Sequence, residues 1–384
     1  MGEIVCCAFK MGRALEGWGR MVKFEHENDN NRRQVSGDAP HRMLNARVFP
    51  PGDPREAPLV EWLTSTLGTT AFELAPAAAD ASFRRYFRIS GLPDGETRIV
   101  MDAPPPQEDC RPYVRIAGML RDAGLNAPRI FATDVERGFL LIEDLGHQTY
   151  LQALTDDNAD ELFLPALDAL VRWQLASRPG ELPEYDEAVL DREIQLFPDW
   201  YIARHLGITL TPAQHDTLQS QFALIKRRNL AQAKVYVHRD YMPRNLMVSD
   251  PAPGVLDFQD ALHGPISYDV ACLFKDAFIS WDEDRVLDWT IRYWEKAKKA
   301  GLPVPGDFAS FFEDVEWMGL QRHLKVAGIF ARINYRDGKP QYLADTPRFM
   351  GYIHGVAGRY DALSPLLRLL NELEAREVNV GYTF

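Results

Sequence analysis

Cysteine is scarce in this chain, and long apolar runs are missing. The 384 residues include 4 cysteines, Cys6, Cys7, Cys110 and Cys272, whose spacing fits no zinc-binding pattern. The adjacent pair is poorly placed for an ordinary structural disulfide. No uninterrupted apolar stretch approaches the roughly 20 residues of a membrane helix, and the segment IVCCAF is too short for a signal peptide. These absences lead us to expect a reduced, cytoplasmic protein with no membrane partner.

An excess of positive charge is also missing. Lys and Arg total 43 against 55 for Asp and Glu, so the formal net charge is −12. A general nucleic-acid binder needs a basic face to neutralise phosphates, and we therefore expect no nucleic-acid partner. An acidic total still permits a local basic pocket for a small substrate.

Several common phosphate-binding and hydrolytic motifs are absent. There is no G-x-x-x-x-G-K-[ST] loop and no G-x-G-x-x-G turn, so neither a Walker-type NTPase nor a Rossmann domain is supported. H-E-x-x-H and G-x-S-x-G are missing too, which argues against a zinc protease and an α/β-hydrolase. Any phosphate chemistry in this chain must come from another arrangement.

The chain divides into three parts by composition. Residues 1–55 contain the polar, turn-rich stretch FEHENDNNRRQVSGDAP and are expected to form a flexible N-terminal extension. Residues 56–146 predict a small lobe, with helices at PLVEWLTSTLG and CRPYVRIAGMLRDAG and strands at FRRYFRIS, TRIVMDA and GFLLIEDLG. Residues 147–384 predict a helical lobe. Its helices are expected near 156–177, 187–206, 212–232, 268–279, 283–300, 307–335 and 345–375, the last with a break near Ser364-Pro365.

A strand-rich insert interrupts the helical lobe and carries the strongest chemical signal. It reads VYVHRDYMPRNLMVSDPAPGVLDFQD, and LMV and VLDF flank the turn SDPAPG as expected for a β-hairpin. The hairpin should bring Asn245 and Asp257 together, with Asp240 on the preceding loop. One neutral and one anionic oxygen ligand suit Mg²⁺, which takes phosphate and water as its other ligands. Since Asp240 can accept a proton from an attacking hydroxyl, the pattern indicates metal-dependent phosphoryl transfer.

The order H-R-D-x-x-x-x-N followed by D-F resembles the catalytic segments of kinases. VHRDYMPRNLMV and VLDFQDALHGPISYDVACL resemble the two signatures of the aminoglycoside phosphotransferase-like kinase family, over about residues 58–375. The resemblance implies a two-lobed, protein-kinase-like α+β fold, with a small antiparallel-sheet N-lobe that binds nucleotide and a mostly helical C-lobe. It also implies ATP and Mg²⁺ as cofactors. The implied roles are a catalytic base at Asp240, Mg²⁺ ligands at Asn245 and Asp257, structural positions at His238 and Asp269, and hinge contacts with adenine at Glu143 and Leu145.

Longer blocks resemble one branch of this family more closely. DASFRRYFR, IVMDAPPPQEDCRPYV, LFPDWYIARHLG and RHLKVAGIFARINYRDGK are similar to the kinases that phosphorylate the anomeric hydroxyl of N-acetylmuramate and N-acetylglucosamine in cell-wall recycling. This resemblance implies an amino-sugar substrate and a sugar 1-phosphate product. Kinases of the same fold that act on another small alcohol, such as homoserine, choline or an aminoglycoside, are the nearest alternative.

One position departs from the kinase pattern. Where V-A-I-K places a phosphate-pairing lysine, this chain reads R-I-V-M-D-A, with Met101 at the lysine position. Another cation must then meet the nucleotide phosphates, or the protein is a catalytically inactive nucleotide-binding module. The loop DASFRRYF offers Ser82, Phe83, Arg84 and Arg85, of which an arginine fork suits phosphate best. Both arginines could equally be solvated charges at the end of a strand.

Two helical segments supply the candidate sugar contacts. In DREIQLFPDWYIARHLG, helical spacing places Glu193, Phe197 and Trp200 on about one face. Glu193, Asp199 and Trp200 can offer hydroxyl acceptors and an aromatic face, whereas we expect Phe197 to lie in the core. RHLKVAGIFARINYRDGK is locally basic and would attract the lactyl carboxylate of N-acetylmuramate but repel a polycationic aminoglycoside. Its charges could also form a solvated face. The further candidates for substrate binding are Arg244, Arg322 and Arg332.

Overall fold

A five-stranded antiparallel sheet with a helix on each face forms the N-terminal lobe of the computed structural model, which describes residues 48–79 and 83–374. The elements of this lobe are, in chain order, α1 (Glu56–Leu67), β1 (Glu73–Ala79), β2 (Arg85–Ser90), β3 (Arg98–Asp102), α2 (Arg111–Asp122), β4 (Ile130–Asp134) and β5 (Phe139–Glu143). The strands lie in the order β1-β2-β3-β5-β4. Both predicted helices and the predicted strands at β2, β3 and β5 are confirmed. Strand β1, with the alanine-rich sequence ELAPAAA, and β4 are additional.

Strand alternation sorts the side chains of β2 onto the two faces of the sheet. Phe87 and Ile89 are buried and pack in one cluster with Leu63 of α1. Tyr86 and Arg88 lie on the opposite face and line the cleft between the lobes. The face of the sheet that turns toward α2 is therefore the one that contributes to a binding site.

The N-terminal lobe begins upstream of the predicted boundary at residue 56. Phe49 is buried in the same cluster as Phe87, with ring centroids 4.7 Å apart. The Arg55 guanidinium donates to the buried Asp102 carboxylate, with an Nε–Oδ1 distance of 3.0 Å. Residues 1–47, which contain most of the predicted flexible extension, lie outside the described residues.

Helices make up most of the C-terminal lobe, as predicted. Its elements are, in chain order, α3 (Tyr150–Ala153), α4 (Ala159–Leu175), α5 (Glu187–Ile194), a π-helix (Phe197–His205), α6 (Pro212–Leu230), β6 (Lys234–Val237), a 3₁₀ turn (Pro243–Asn245), β7 (Leu246–Met247), β8 (Gly254–Val255), β9 (Leu262–Pro265), α7 (Tyr268–Phe274), α8 (Glu283–Ala300), α9 (Phe308–Asp337), a 3₁₀ helix (Pro340–Asp345), α10 (Thr346–Arg359), a 3₁₀ turn (Asp361–Leu363) and α11 (Ser364–Leu373). Strands β7 and β8 pair as the predicted hairpin, and β6 pairs with β9. Within the described ranges, no helix combines the length and the hydrophobicity that crossing a bilayer requires.

Two of the long predicted helices are divided in the structure. The predicted helix 187–206 is α5 followed by the π-helix, which has Pro198 in its first turn. A π-helix forms i→i+5 hydrogen bonds, so the α-helical spacing that places Glu193 and Trp200 on one face does not hold beyond α5. The predicted helix 345–375 is divided into α10 and α11 at the expected Ser-Pro step.

Gly328 allows α9 to pass close to the start of the π-helix. A Cβ at this position would lie 2.3 Å from the carbonyl carbon and oxygen of Leu196 and 2.7 Å from the amide nitrogen of Phe197. Because these are backbone atoms, we expect Gly328→Ala to lower the free energy of unfolding by about 1–3 kcal/mol. Gly319→Ala on the same helix is the control, since its closest contact is a His323 side-chain atom at 3.7 Å. Equal thermal unfolding midpoints for the two variants would contradict this expectation.

Candidate active site

The catalytic-loop motif lies between β6 and the β7–β8 hairpin. The backbone N–H groups of His238 and Arg239 donate to the two carboxylate oxygens of Asp269 at 2.7 and 3.0 Å. Burial raises the pKa of Asp269 to about 7, although these two hydrogen bonds act in the opposite direction. Arg239 adopts a φ of 74°, which is uncommon for a residue other than glycine. The buried Asp269 therefore stabilises the turn that presents Asp240.

Asp240, Asn245 and Asp257 converge at one end of the hairpin, and all three are buried. Asn245 Nδ2 donates to the carbonyl oxygen of Asp240 at 2.9 Å and lies 3.3 Å from Asp257 Oδ2. Gln259 Nε2 donates to the other carboxylate oxygen of Asp257 at 2.9 Å. The predicted juxtaposition of Asn245 and Asp257, with Asp240 on the adjoining loop, is confirmed.

Asn245 and Asp257 supply the oxygen donors that Mg²⁺ prefers. In the part of the chain that the structure describes, no group of three or more His, Cys, Asp or Glu side chains gathers to hold a metal. A metal at Asn245 and Asp257 would therefore need phosphate and water oxygens for its other positions, as is usual for Mg²⁺ in phosphoryl-transfer sites. One anionic and one amide side chain fit this ion better than zinc, which prefers nitrogen and sulfur ligands.

A cleft of about 310 Å³ between the lobes reaches these residues. The predicted hinge residues Glu143 and Leu145 line it together with Asn245 and Asp257. Apolar side chains such as Ile99 of β3 contribute to its walls. Polar groups lie at both ends of the cleft, with Glu143 at the hinge and Asn245 and Asp257 at the other end. Apolar walls with a few placed polar groups are typical of a small-molecule site. The cleft can therefore hold a flat apolar group at the hinge and charged groups near Asp257.

Arg88 is a cleft residue that the sequence motifs do not single out. Its Nε donates to Asp144 at 2.5 Å, and its Nη2 donates to the carbonyl oxygen of Gly146 at 2.8 Å. Burial would raise the pKa of Asp144, but hydrogen bonds from Arg88 and Thr97 hold it below its ordinary value. Arg88 thus ties β2 to the hinge. The alternation of apolar and polar residues along β2 is the sequence signal that places it on the cleft face.

The candidates in the predicted phosphate loop lie in different environments. Arg85 pairs with the buried Asp102 on the face of the sheet that α1 covers, which argues against the predicted contact with nucleotide phosphates. Arg84 is on the other face, is buried, and lines a second cavity between the lobes. Phe83 is exposed. Ser82 lies outside the described residues.

Three of the predicted sugar contacts lie at partly or fully accessible positions of the C-terminal lobe, and a fourth, Arg332, is buried. Arg244 lines the cleft between the lobes, with its guanidinium 5.0 Å from the Phe278 ring centroid. Asp199 is exposed, and Trp200 is half-buried where it packs against two groups of core residues. Burial, together with a neighbouring positive charge, lowers the pKa of Arg332 to about 10. Of these four, the structure brings Arg244 to the cleft and leaves the others outside its described lining.

Glu193 and Arg322 are buried, and Glu193 also lines the second cavity between the lobes, so a sugar contact at Glu193 stays a prediction. Glu193 Oε1 accepts from Lys325 Nζ at 2.8 Å and from Arg239 Nη2 at 2.6 Å, and the Tyr185 hydroxyl donates to Oε2. Burial would raise the pKa of Glu193, but the charges of Lys325 and Arg239 overcome this effect and lower it to about 2. Glu193 therefore connects α5 and α9 to the catalytic loop.

The sequence matches a known family over the region that contains the cleft. A profile of the phosphotransferase enzyme family (APH) matches residues 73–307, from β1 to the residue before α9. This span covers more than half of the chain and includes Asp240, Asn245 and Asp257. The chain belongs to this family and is a phosphotransferase, as the motifs predict.

Two curated relatives match most of the chain. An N-acetylmuramate/N-acetylglucosamine kinase from Pseudomonas aeruginosa is 58% identical over 301 residues, which cover 78% of this chain and 88% of the relative. A kinase of the same name from Pseudomonas putida is 52% identical over 337 residues, covering 85% of this chain and 99% of the relative. Among solved structures, a choline kinase from Streptococcus pneumoniae has a TM-score of 0.56 at 15% identity, covering 79% of this chain and 99% of that chain. This last likeness concerns the fold alone and agrees with the predicted two-lobed α+β architecture.

Proposed function

We propose that this protein transfers the γ-phosphate of ATP, with Mg²⁺, to the anomeric hydroxyl of N-acetylmuramate or N-acetylglucosamine and so forms the sugar 1-phosphate. The observation that carries the proposal is that Asn245 and Asp257, which line one end of the cleft between the lobes, lie beside Asp240, whose carbonyl oxygen accepts from Asn245. The identity of 58% to a kinase named for this pair of sugars supports the choice of acceptor.

The lining of the cleft supports one orientation of the nucleotide. Glu143 and Leu145 lie at the hinge, where backbone groups would contact adenine. Asn245 and Asp257 lie at the other end, where they would hold Mg²⁺. When bound, this ion supplies positive charge that neutralises the transferred phosphoryl group. The apolar walls of the cleft would exclude water from the reacting groups.

Asp240 is the proposed catalytic base. Asp269 holds the turn before it through two backbone hydrogen bonds, and Asn245 holds its carbonyl oxygen, so its side chain extends from a fixed backbone. Phosphoryl transfer leaves the protein mainly the tasks of orienting the hydroxyl and taking its proton. The acceptor would bind on the C-terminal lobe side of the cleft, where the charge of Arg244 suits a substrate that carries a carboxylate.

Assays of the purified protein with ATP, Mg²⁺ and a panel of acceptors test this function. The panel contains N-acetylmuramate, N-acetylglucosamine, choline, homoserine and kanamycin. We expect both amino sugars to be phosphorylated, and NMR of the product should show coupling between phosphorus and the anomeric proton. A phosphorylated sugar without this coupling would assign the phosphate to another hydroxyl. Turnover of choline, homoserine or kanamycin alone would replace the proposed acceptor, and unchanged turnover after chelation of Mg²⁺ would remove the metal from the proposal.

A further inference from the structure

The lysine position of the kinase pattern is apolar in this protein. Protein kinases place a phosphate-pairing lysine on β3 and pair it with a glutamate of the adjoining helix. Here Met101 of β3 is fully buried and belongs to the same cluster as Tyr113 of α2. Tyr113 in turn packs against Phe258, with ring centroids 4.7 Å apart. The space that the usual ion pair would occupy is therefore filled by apolar and aromatic side chains.

A buried ion pair lies close by, at the start of the neighbouring strand. Arg84 directly precedes β2 and pairs with Glu108, which lies just before α2, with an Nη2–Oε2 distance of 3.0 Å. The two side chains are only 9% and 10% exposed, so solvent screens them less than an ordinary surface pair. The other carboxylate oxygen of Glu108 accepts a hydrogen bond from the backbone N–H of Phe83 at 3.0 Å. Glu108 therefore holds both the Arg84 guanidinium and the backbone of the loop.

Arg84 faces a cavity of about 790 Å³ that adjoins the metal-binding end of the nucleotide cleft. Gln259 and Asp260 line this cavity together with Arg84. Gln259 also donates to Asp257, which lines the nucleotide cleft, at 2.9 Å. Gln259 thus connects the cavity that Arg84 lines to Asp257, the end of the cleft toward which the phosphates of the proposed nucleotide would extend. A guanidinium has five N–H donors, so pairing with Glu108 is compatible with a phosphate contact.

Two other arginines, Arg88 and Arg244, line the nucleotide cleft itself in the described part of the chain, whereas Arg84 lines the adjoining cavity. Arg88 binds Asp144 and the carbonyl oxygen of Gly146, which places its charge at the hinge rather than near Asp257. Arg244 lies over the Phe278 ring on the C-terminal lobe side. Their positions fit contacts with the base or the acceptor better than contacts with the phosphates.

We propose that Arg84 contacts the nucleotide phosphates and that Glu108 is its positioning residue, so that this ion pair takes the place of the lysine–glutamate pair of other kinases. The inference rests on the proposed function, because it assumes that ATP binds in the cleft. Glu108 acts through Arg84 and does not itself touch the nucleotide. Since Glu108 also binds the Phe83 backbone, the pair connects the phosphate loop to α2.

Three variants test the pair, namely Arg84→Met, Glu108→Gln and the combination of both. Loss of one charge-assisted hydrogen bond predicts that Arg84→Met lowers kcat/KM for ATP by about 10- to 150-fold, with KM for the sugar unchanged. Glu108→Gln retains an oxygen for the Phe83 N–H but not the charge that orients Arg84, so a loss of about 3- to 10-fold is expected. The double variant should lose as much kcat/KM for ATP as Arg84→Met alone, because without the Arg84 guanidinium the residue at position 108 has nothing to orient.

Arg111→Met is the matched control, because Arg111 lines the same cavity at 66% exposure and should be dispensable. Calorimetry separates a phosphate contact from a structural effect: Arg84→Met should weaken the binding of ATP and leave that of adenosine unchanged. The inference would be overturned if Arg84→Met weakened the binding of ATP and of adenosine equally, or if its kcat/KM for ATP stayed within about twofold of wild type. It would also be overturned if the losses in kcat/KM of the two single variants multiplied in the double variant. If the wild-type protein phosphorylates no sugar, the proposed function fails, and the comparison of ATP with adenosine still decides the role of Arg84.

Discussion

Replacing Asp240 by asparagine is expected to lower kcat by about 100- to 10,000-fold, the usual contribution of a positioned general base. Asparagine has nearly the same shape as aspartate, so the turn held by Asp269 should persist and the affinity for ATP should change little. The loss arises because the attacking hydroxyl no longer has an acceptor for its proton. Steady-state kinetics with N-acetylmuramate and calorimetry with ATP measure these two effects separately.

The control for this variant is Asp250→Asn. Asp250 is an exposed residue in the turn between β7 and β8, so the substitution removes a carboxylate from the same hairpin without touching the cleft. Its kcat should stay within about twofold of wild type. An Asp240→Asn protein that binds ATP and retains a kcat within about 10-fold of wild type would contradict the assignment of Asp240 as the base.

The residues proposed to transfer phosphate lie close together in sequence, which explains why a motif alone can bring them together. Asp240 and Asn245 share one loop, and Asp257 follows across a short hairpin. The hydrogen bond from Asn245 to the Asp240 carbonyl oxygen depends only on the local geometry of that loop. The predicted hairpin required nothing beyond two apolar segments and a proline-rich turn. Contacts between residues this close in sequence can be predicted from the local pattern, and the structure confirms the arrangement.

The paired arginines of FRRYFR show what strand alternation adds to a motif. The resemblance to kinases treats Arg84 and Arg85 alike as loop residues. In the structure, Arg84 lies on the cleft side with Arg88, whereas Arg85 shares the α1 side with the buried Phe87. Side chains alternate between the two faces of a strand, so the sequence alone places Arg85 on the same face as Phe87 and Arg84 on the opposite face. This part of the site could have been predicted more sharply from the sequence.

Glu193 shows what the sequence could not supply. Its α-helical spacing with Trp200 suggested a shared surface, but the π-helix after α5 changes that spacing. Its cationic partners Lys325 and Arg239 are 132 and 46 residues away along the chain. No local pattern reports such contacts, because an acid on a helix looks the same whether it faces solvent or the charges of another helix.

Glu193→Leu is expected to lower the free energy of unfolding by about 3–5 kcal/mol. The substitution removes the carboxylate shared by Lys325 and Arg239 and leaves two positive charges in the interior, where Glu193 itself is 2% exposed. Chemical denaturation followed by circular dichroism measures the change. Glu187→Leu on the same helix is the control, because Glu187 is 71% exposed. Its surface ion pair with Lys226 should contribute less than about 1 kcal/mol.

The cause of this loss is the charge of Glu193 rather than its packing, and two measurements separate these explanations. The pKa of Glu193 falls from its ordinary value of 4.5 to about 2 in the folded protein. Its contribution to stability is therefore present above pH 4.5 and is lost as the pH falls toward 2, so wild type should lose stability over this interval more steeply than Glu193→Leu. Adding Lys325→Met to Glu193→Leu removes one of the two unpaired cations and should recover part of the lost stability. A double variant no more stable than Glu193→Leu at neutral pH would instead attribute the loss to packing.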